Sequence, residues 1–271
     1  RQEKGYRDYA HDIDNTDSLV GVGLAFTADL DKPGGFRGIE AVRASHDFRE
    51  VGEINPELRA DVAFHPDSEL LSVALAEGHL VSGVQPRGGL ISGRGSVMKL
   101  AGWNQADMTV LAGSNLCVEW PDYGLNRSGD EEQFEERLRH RKLALERLNG
   151  AFENARAYLA AHSNSQSDPK WVAMAEALAG KRPVFVRAQR LDQIEDALSW
   201  SQRQKLHMVL VGGADSWRVV DKLASAQVPV LFTETFRLPR RDHEEHDLYY
   251  RVPSMLKAAG VPMALSMGGE H

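Results

Sequence analysis

Between residues 183 and 266, four short apolar runs alternate with helix-like segments, and this alternation constrains the fold more than any other feature of the chain. The runs occupy 183–188, 207–213, 228–232 and 261–266. None shows the period-two pattern of a sheet with one wet face. Strands apolar throughout belong to a parallel sheet covered on both sides. Helical patterns separate them: 191–203, a stretch with Trp217, Val220, Leu223 and Ala224 at helical spacing, and 249–259. Asp192 and Glu195 at the front of the first supply carboxylates for the free N–H groups of a helix start. The predicted class is α/β.

The first half repeats the theme less cleanly. Residues 67–77 read as a helix stopped by Gly78, then 79–84 and 116–120 as strands, with 19–26 a glycine-weakened strand candidate. A long helix is expected over 131–162, where Phe134, Leu138, Leu145, Leu148, Phe152, Ala155 and Leu159 mark one apolar face. Its mixed-sign charges read as a solvated face. A polar loop at 163–169 precedes a resumed helix at 171–178. The glycine-rich stretch Arg87-Gly-Gly-Leu-Ile-Ser-Gly-Arg-Gly95 follows a strand, yet it does not spell G-x-G-x-x-G and carries no phosphate-binding lysine. Strand–helix alternation over a chain of 271 residues suits a (β/α)8 barrel or a doubly wound sheet.

Composition narrows the partners. With 32 Lys and Arg against 39 Asp and Glu, the net charge of −7 disfavours nucleic acid. Cys117 is the one cysteine, which excludes an internal disulfide and any zinc site built from several thiolates. No segment approaches the ~18 apolar residues of a membrane span, so no membrane partner is expected. The early charges, from Arg1 through Asp17, do not form a signal peptide. A cytoplasmic location and secretion after signal removal both stay open.

Several ordered motifs resemble a branch of the amidohydrolase superfamily related to imidazolonepropionase. They are Asp47-Phe-Arg-Glu-Val-Gly-Glu-Ile-Asn-Pro56, Pro66-Asp-Ser-Glu-Leu70, Pro86-Arg-Gly-Gly-Leu-Ile-Ser-Gly93 and Leu100-Ala-Gly-Trp103. Ala155-Arg-Ala-Tyr-Leu159, Val228-Pro-Val230, Leu238-Pro239 and Ala259-Gly-Val261 continue the series, so the resemblance runs over 39–268. It implies a (β/α)8 TIM-type barrel with its chemistry at the C-terminal strand ends. It also implies hydrolysis of a C–N bond, other than a peptide bond, in a small molecule such as a cyclic amide. Members hold a divalent metal such as zinc through an H-x-H pair, two further histidines and an aspartate.

Each expected ligand is missing. No H-x-H occurs, Arg187 stands at the place resembling the fifth-strand ligand, and Gly212 and Gly213 stand at the sixth. Ser266-Met-Gly-Gly269 offers no aspartate at the eighth. Arginine is a permanent cation with no lone pair for a metal. The metal site is therefore unassigned. Other histidines read as structural or solvated: His65, His207, the His243-Glu-Glu-His246 group, His46 beside Asp47, and His11 among acidic residues.

The expected site lies at the strand ends. Glu119 and Glu234 are the candidate acid and base. Arg87, Arg94 and Arg187, with Gly212 and Gly213, are the candidate substrate-binding residues, the arginines taking a carboxylate bidentately. The alternative for the charges is ion pairing that caps the barrel mouth. Cys117 reads as a small core residue. The expected arrangement is one barrel domain over 1–271, with 1–38 an irregular or partial first unit and no complete accessory β-sandwich. On this reading, Arg1 in place of Met marks an incomplete or trimmed chain. The partner is a small molecule, with self-association allowed. A non-catalytic anion-binding or scaffold barrel that has lost its metal is the competing expectation.

Overall fold

The computed structural model describes residues 52–122, 131–161, 168–241 and 244–266. The expected strand at 19–26, the partial unit at 1–38, His11, His46 and His243 lie outside them. The described chain builds one sheet in sequence order. β1 (Val81–Val84), β2 (Ile91–Lys99) and β3 (Thr109–Glu119) are antiparallel neighbours. β4 (Val184–Ala188), β5 (Met208–Gly212), β6 (Val230–Phe232) and β7 (Met263–Leu265) then follow β3 in parallel. The sheet runs β1 to β7 without closing on itself among the described residues. It is therefore a mixed α/β wall, half of a barrel, and a complete barrel is not seen.

The helices are α1 (Glu69–Ala76), α2 (Glu131–Ala161), α3 (Leu191–Gln204), α4 (Val220–Ser225) and α5 (Leu248–Ala258), with several single-turn helices between them. Alternate strand residues explain the core. Leu116, Val118, Val184, Val186, Leu210, Val230 and Phe232 point to one face and are buried with Leu148, Phe152, Ile194, Trp200, Leu223, Val252 and Leu256 of the helices. Trp200 meets Trp120 at 5.5 Å and Phe152 at 5.1 Å between ring centres, both edge-on. Truncating Phe152 to Ala would cost about 3–5 kcal/mol at so closed a position. The opposite face, called inner below, carries Cys117, Phe185, Arg187, Val209, Val211 and Leu231, several of them only half-buried. No described helix is long and apolar enough to cross a membrane.

Two local expectations change. The start of α3 is capped from elsewhere. Gln193 Oε1 accepts from the N–H groups of Gln189 and Arg190, and Asp215 Oδ2 accepts from that of Leu191 at 3.0 Å. Asp192 instead pairs with Arg190, and Glu195 with Lys222. The glycine-rich stretch after β1 is largely strand, because Ile91–Lys99 pairs along both neighbours. A Cβ on Gly93 would meet the Leu58 carbonyl oxygen at 2.9 Å, and one on Gly95 the Asn115 side chain at 2.4 Å. Those glycines serve close approach of chain to chain, not a phosphate.

Candidate functional site

Register places the candidate residues. Glu119 at the end of β3 lies opposite Arg187 on β4, Arg187 opposite Val211 on β5, and Val211 opposite Leu231 on β6. One layer of the inner face thus reads carboxylate, guanidinium, then aliphatic. The layer beneath is Cys117, Phe185 and Val209. Arg187 Nε donates to Glu119 Oε1 at 3.1 Å, with both side chains about a quarter exposed, at 21% and 26%. Arg187 Nη1 and Nη2 donate to no other described residue.

Beside this pair sits a network of neutral polar groups. Asn115 Nδ2 donates to Gln85 Oε1 at 2.7 Å, and Gln85 Nε2 returns a bond to Asn115 Oδ1 at 3.2 Å. The Cys117 thiol donates to Gln85 Oε1 at 2.8 Å. Burial, reinforced by the Glu119 charge and only partly offset by Asn115, pushes that thiol up to about 12. It stays protonated at neutral pH and is no nucleophile. Gln85, Cys117, Phe185, Arg187 and Val211 line a shallow cleft here.

The strand ends of β5 and β6 hold a second grouping. Asp215, just past β5, is 1% exposed and takes a bidentate bond from Arg241, at 2.9 Å and 2.6 Å. Burial opposes its ionisation, but the Arg241 guanidinium and the Leu191 N–H outweigh burial and hold the carboxyl below the usual range. Glu234, just past β6, is likewise buried. Its Oε1 accepts from Gln189 Nε2 at 3.0 Å and Thr233 Oγ1 at 2.8 Å. Its Oε2 receives Arg240 and Arg237, both at 3.3 Å. Three hydrogen bonds and the Arg237 ion pair surround that carboxylate. The segment 236–241 is thereby strapped over these strand ends, and Arg241 also pairs with Glu244.

The five binding candidates do not form one cluster. Arg94 pairs in register with Leu116, so it emerges on the helix-covered face, where it donates to the Glu57 carbonyl. A bulge between Ile91 and Gly93 sets that direction. Arg87 is exposed on the loop between β1 and β2. Arg187 alone of the three has been placed on the inner face. Gly212 and Gly213 adopt positive φ, 93° and 71°, and a Cβ on Gly212 would strike the Gln189 amide at 2.5 Å. Gly212 seats Gln189, which in turn holds Glu234, while Gly213 lies against Leu210 and Ser216. Asp215, Gln189 and the arginines of 237–241 were not singled out in sequence, where they read as loop.

The divalent metal implied by the resemblance does not fit these residues. Among the described residues no three His, Cys, Asp or Glu side chains gather as a ligand set. Glu119, Asp215 and Glu234 each face a guanidinium instead.

Comparison with known proteins agrees with this architecture. An amidohydrolase from Thermotoga maritima MSB8 superposes with a TM-score of 0.66 at 20% sequence identity, over 79% of this chain and 57% of that one. The likeness is one of fold. The chain thus spans little more than half of that neighbour. A 4-methylaminobutanoate oxidase (formaldehyde-forming) from Paenarthrobacter nicotinovorans is 50% identical over 42 residues, which is 16% of this chain and 5% of that protein. No family model matches the chain.

Proposed function

We propose that the chain is an amidohydrolase-type hydrolase acting on a C–N bond, other than a peptide bond, of a small molecule such as a cyclic amide. The observation that carries the reading is the Glu119–Arg187 pair at adjacent C-terminal ends of parallel strands, where α/β folds of this kind place their chemistry. The fold likeness and the imidazolonepropionase-related motif series point the same way. In this reading the wall belongs to a (β/α)8 barrel. Arg187 donates to the substrate carbonyl oxygen and stabilises the oxyanion formed when water adds. Glu119 takes the proton of that water and returns it to the leaving nitrogen as the C–N bond breaks. Glu234, held by three hydrogen bonds and the Arg237 ion pair, positions the strand ends through Gln189.

Purified protein is to be incubated with a panel of lactams, hydantoins and cyclic ureas, with ring opening followed by chromatography. Turnover is expected on at least one, reduced about 100-fold or more by Glu119→Gln. A folded protein that opens none of them sinks the hydrolase reading. The second reading is a non-catalytic barrel that binds a small anion. It is favoured by Glu119 already being spent on an ion pair with Arg187.

A further inference from the structure

The guanidiniums at the strand ends differ in what they have left to offer. Arg190 uses Nε, Nη1 and Nη2 on Asp192 and Asp122, and Arg241 uses both Nη groups on Asp215 and Glu244. Arg187 is held side-on, through Nε alone, by Glu119. Its two Nη groups form a fork with no other acceptor among the described residues, and its side chain is only partly exposed. A fork of that shape matches the paired oxygens of an oxyanion such as a carboxylate.

From this juxtaposition we infer that Arg187 is a binding site for the carboxylate of a small monoanion with an apolar body, taken end-on by Nη1 and Nη2. The apolar part is set by the layer order. Leu231 continues the row past the buried Val211, and Phe185 and Val209, both half-buried, floor it from beneath. The Glu119 charge offsets that of Arg187, so recognition rests on the geometry of the fork more than on net charge. The fork itself takes carboxylate and phosphate oxygens alike, so selection against a bare tetrahedral anion falls to the apolar layer. The inference deepens the functional reading and rests on its assignment of the inner face as the ligand face. Amide hydrolysis leaves a carboxylate where the carbonyl stood, so the same fork would retain the product of that reaction. Binding is nevertheless independent of turnover.

The test is a thermal-shift and calorimetric titration of the protein with cyclohexanecarboxylate, its neutral amide, acetate, phosphate and chloride. Cyclohexanecarboxylate should raise the midpoint by mass action, with acetate weaker for want of an apolar body and the amide, phosphate and chloride near zero. Arg187→Lys keeps the charge and loses the fork, so affinity should fall about tenfold. Arg187→Met should abolish the response while leaving the ligand-free midpoint and circular dichroism close to those of the parent. Glu119→Gln, which frees the guanidinium to swing, should weaken binding several-fold. An equal response in Arg187→Met overturns the site, as does a phosphate response matching the carboxylate. No response to either carboxylate overturns it too, whether or not any cyclic amide is opened. Absence of turnover with intact carboxylate binding would sink the hydrolase reading alone.

Discussion

Two carboxylate–guanidinium groupings stand at the strand ends of the same sheet, and they are built for different ends. At β5 and β6, Asp215 and Glu234 are almost fully buried and each oxygen is occupied, by Arg241, Leu191, Arg240, Arg237, Gln189 and Thr233. At β3 and β4, Arg187 meets Glu119 through Nε, both side chains stay partly exposed, and the two Nη groups have no acceptor among the described residues. A saturated buried pair secures structure, since stripping one partner leaves an uncompensated charge. A partly exposed guanidinium with two nitrogens unused has donors to give to a ligand. On the proposed function, the same two charge types thus separate into fastening and recognition by burial and by the number of acceptors present.

That contrast can be broken experimentally, and the largest effect should come from the fastened side. Asp215→Ala removes the acceptor of Arg241 and a cap of α3 together, and should cost about 3 kcal/mol in urea unfolding. A loss no greater than that of an exposed substitution would erase the distinction. Glu234→Gln keeps shape but drops the charge facing Arg237 and Arg240, for about 1.5 kcal/mol, with easier tryptic cleavage at 237–241. Acidification sharpens the comparison further. The folded-state carboxyl of Asp215 lies below its unfolded value, so its contribution is complete above the unfolded pKa and is lost as pH falls through the lower, folded one. Unfolding free energy should therefore decline more steeply below about pH 4 in the parent than in Asp215→Asn. The smallest effect is expected at the other end, where Glu119→Gln should change stability by about 0.5 kcal/mol. A cost there matching that of Asp215→Ala would make both groupings structural.

How much of this was legible in the chain depends on where side-chain direction is set. β4 to β7 were readable because each is a continuous apolar run, and their observed bounds lie inside the expected ones. β2 was hidden by Gly93, Arg94 and Gly95, which look like a turn until Leu58, Asn115 and Gln85 press close enough to require glycine. The same stretch defeated the grouping of Arg94 with Arg187. A bulge shifts register by one residue, and one residue reverses the face. Sequence put Glu119 and Arg187 at strand ends, but their pairing follows from strand order, which local pattern does not encode. The fastening of 236–241 was illegible for a similar reason. Asp215 and Arg241 are 26 residues apart and meet only because β5 and β6 lie side by side.

Gln189 gives the arrangement a mechanical meaning. Its side chain donates to Glu234 beyond β6 and accepts from the Ala214 N–H beyond β5, while its backbone binds Gln193 and Asp215. Three successive strand ends are thus tied by one residue, and Arg187 hangs two positions before the knot. An anchored fork has already lost its freedom when the protein folds, so a ligand meets it in place and owes little for ordering it. A carboxylate-bound structure should accordingly superpose on the free one at the ends of β4, β5 and β6, with the ligand fitting a rigid frame instead of closing a mobile one.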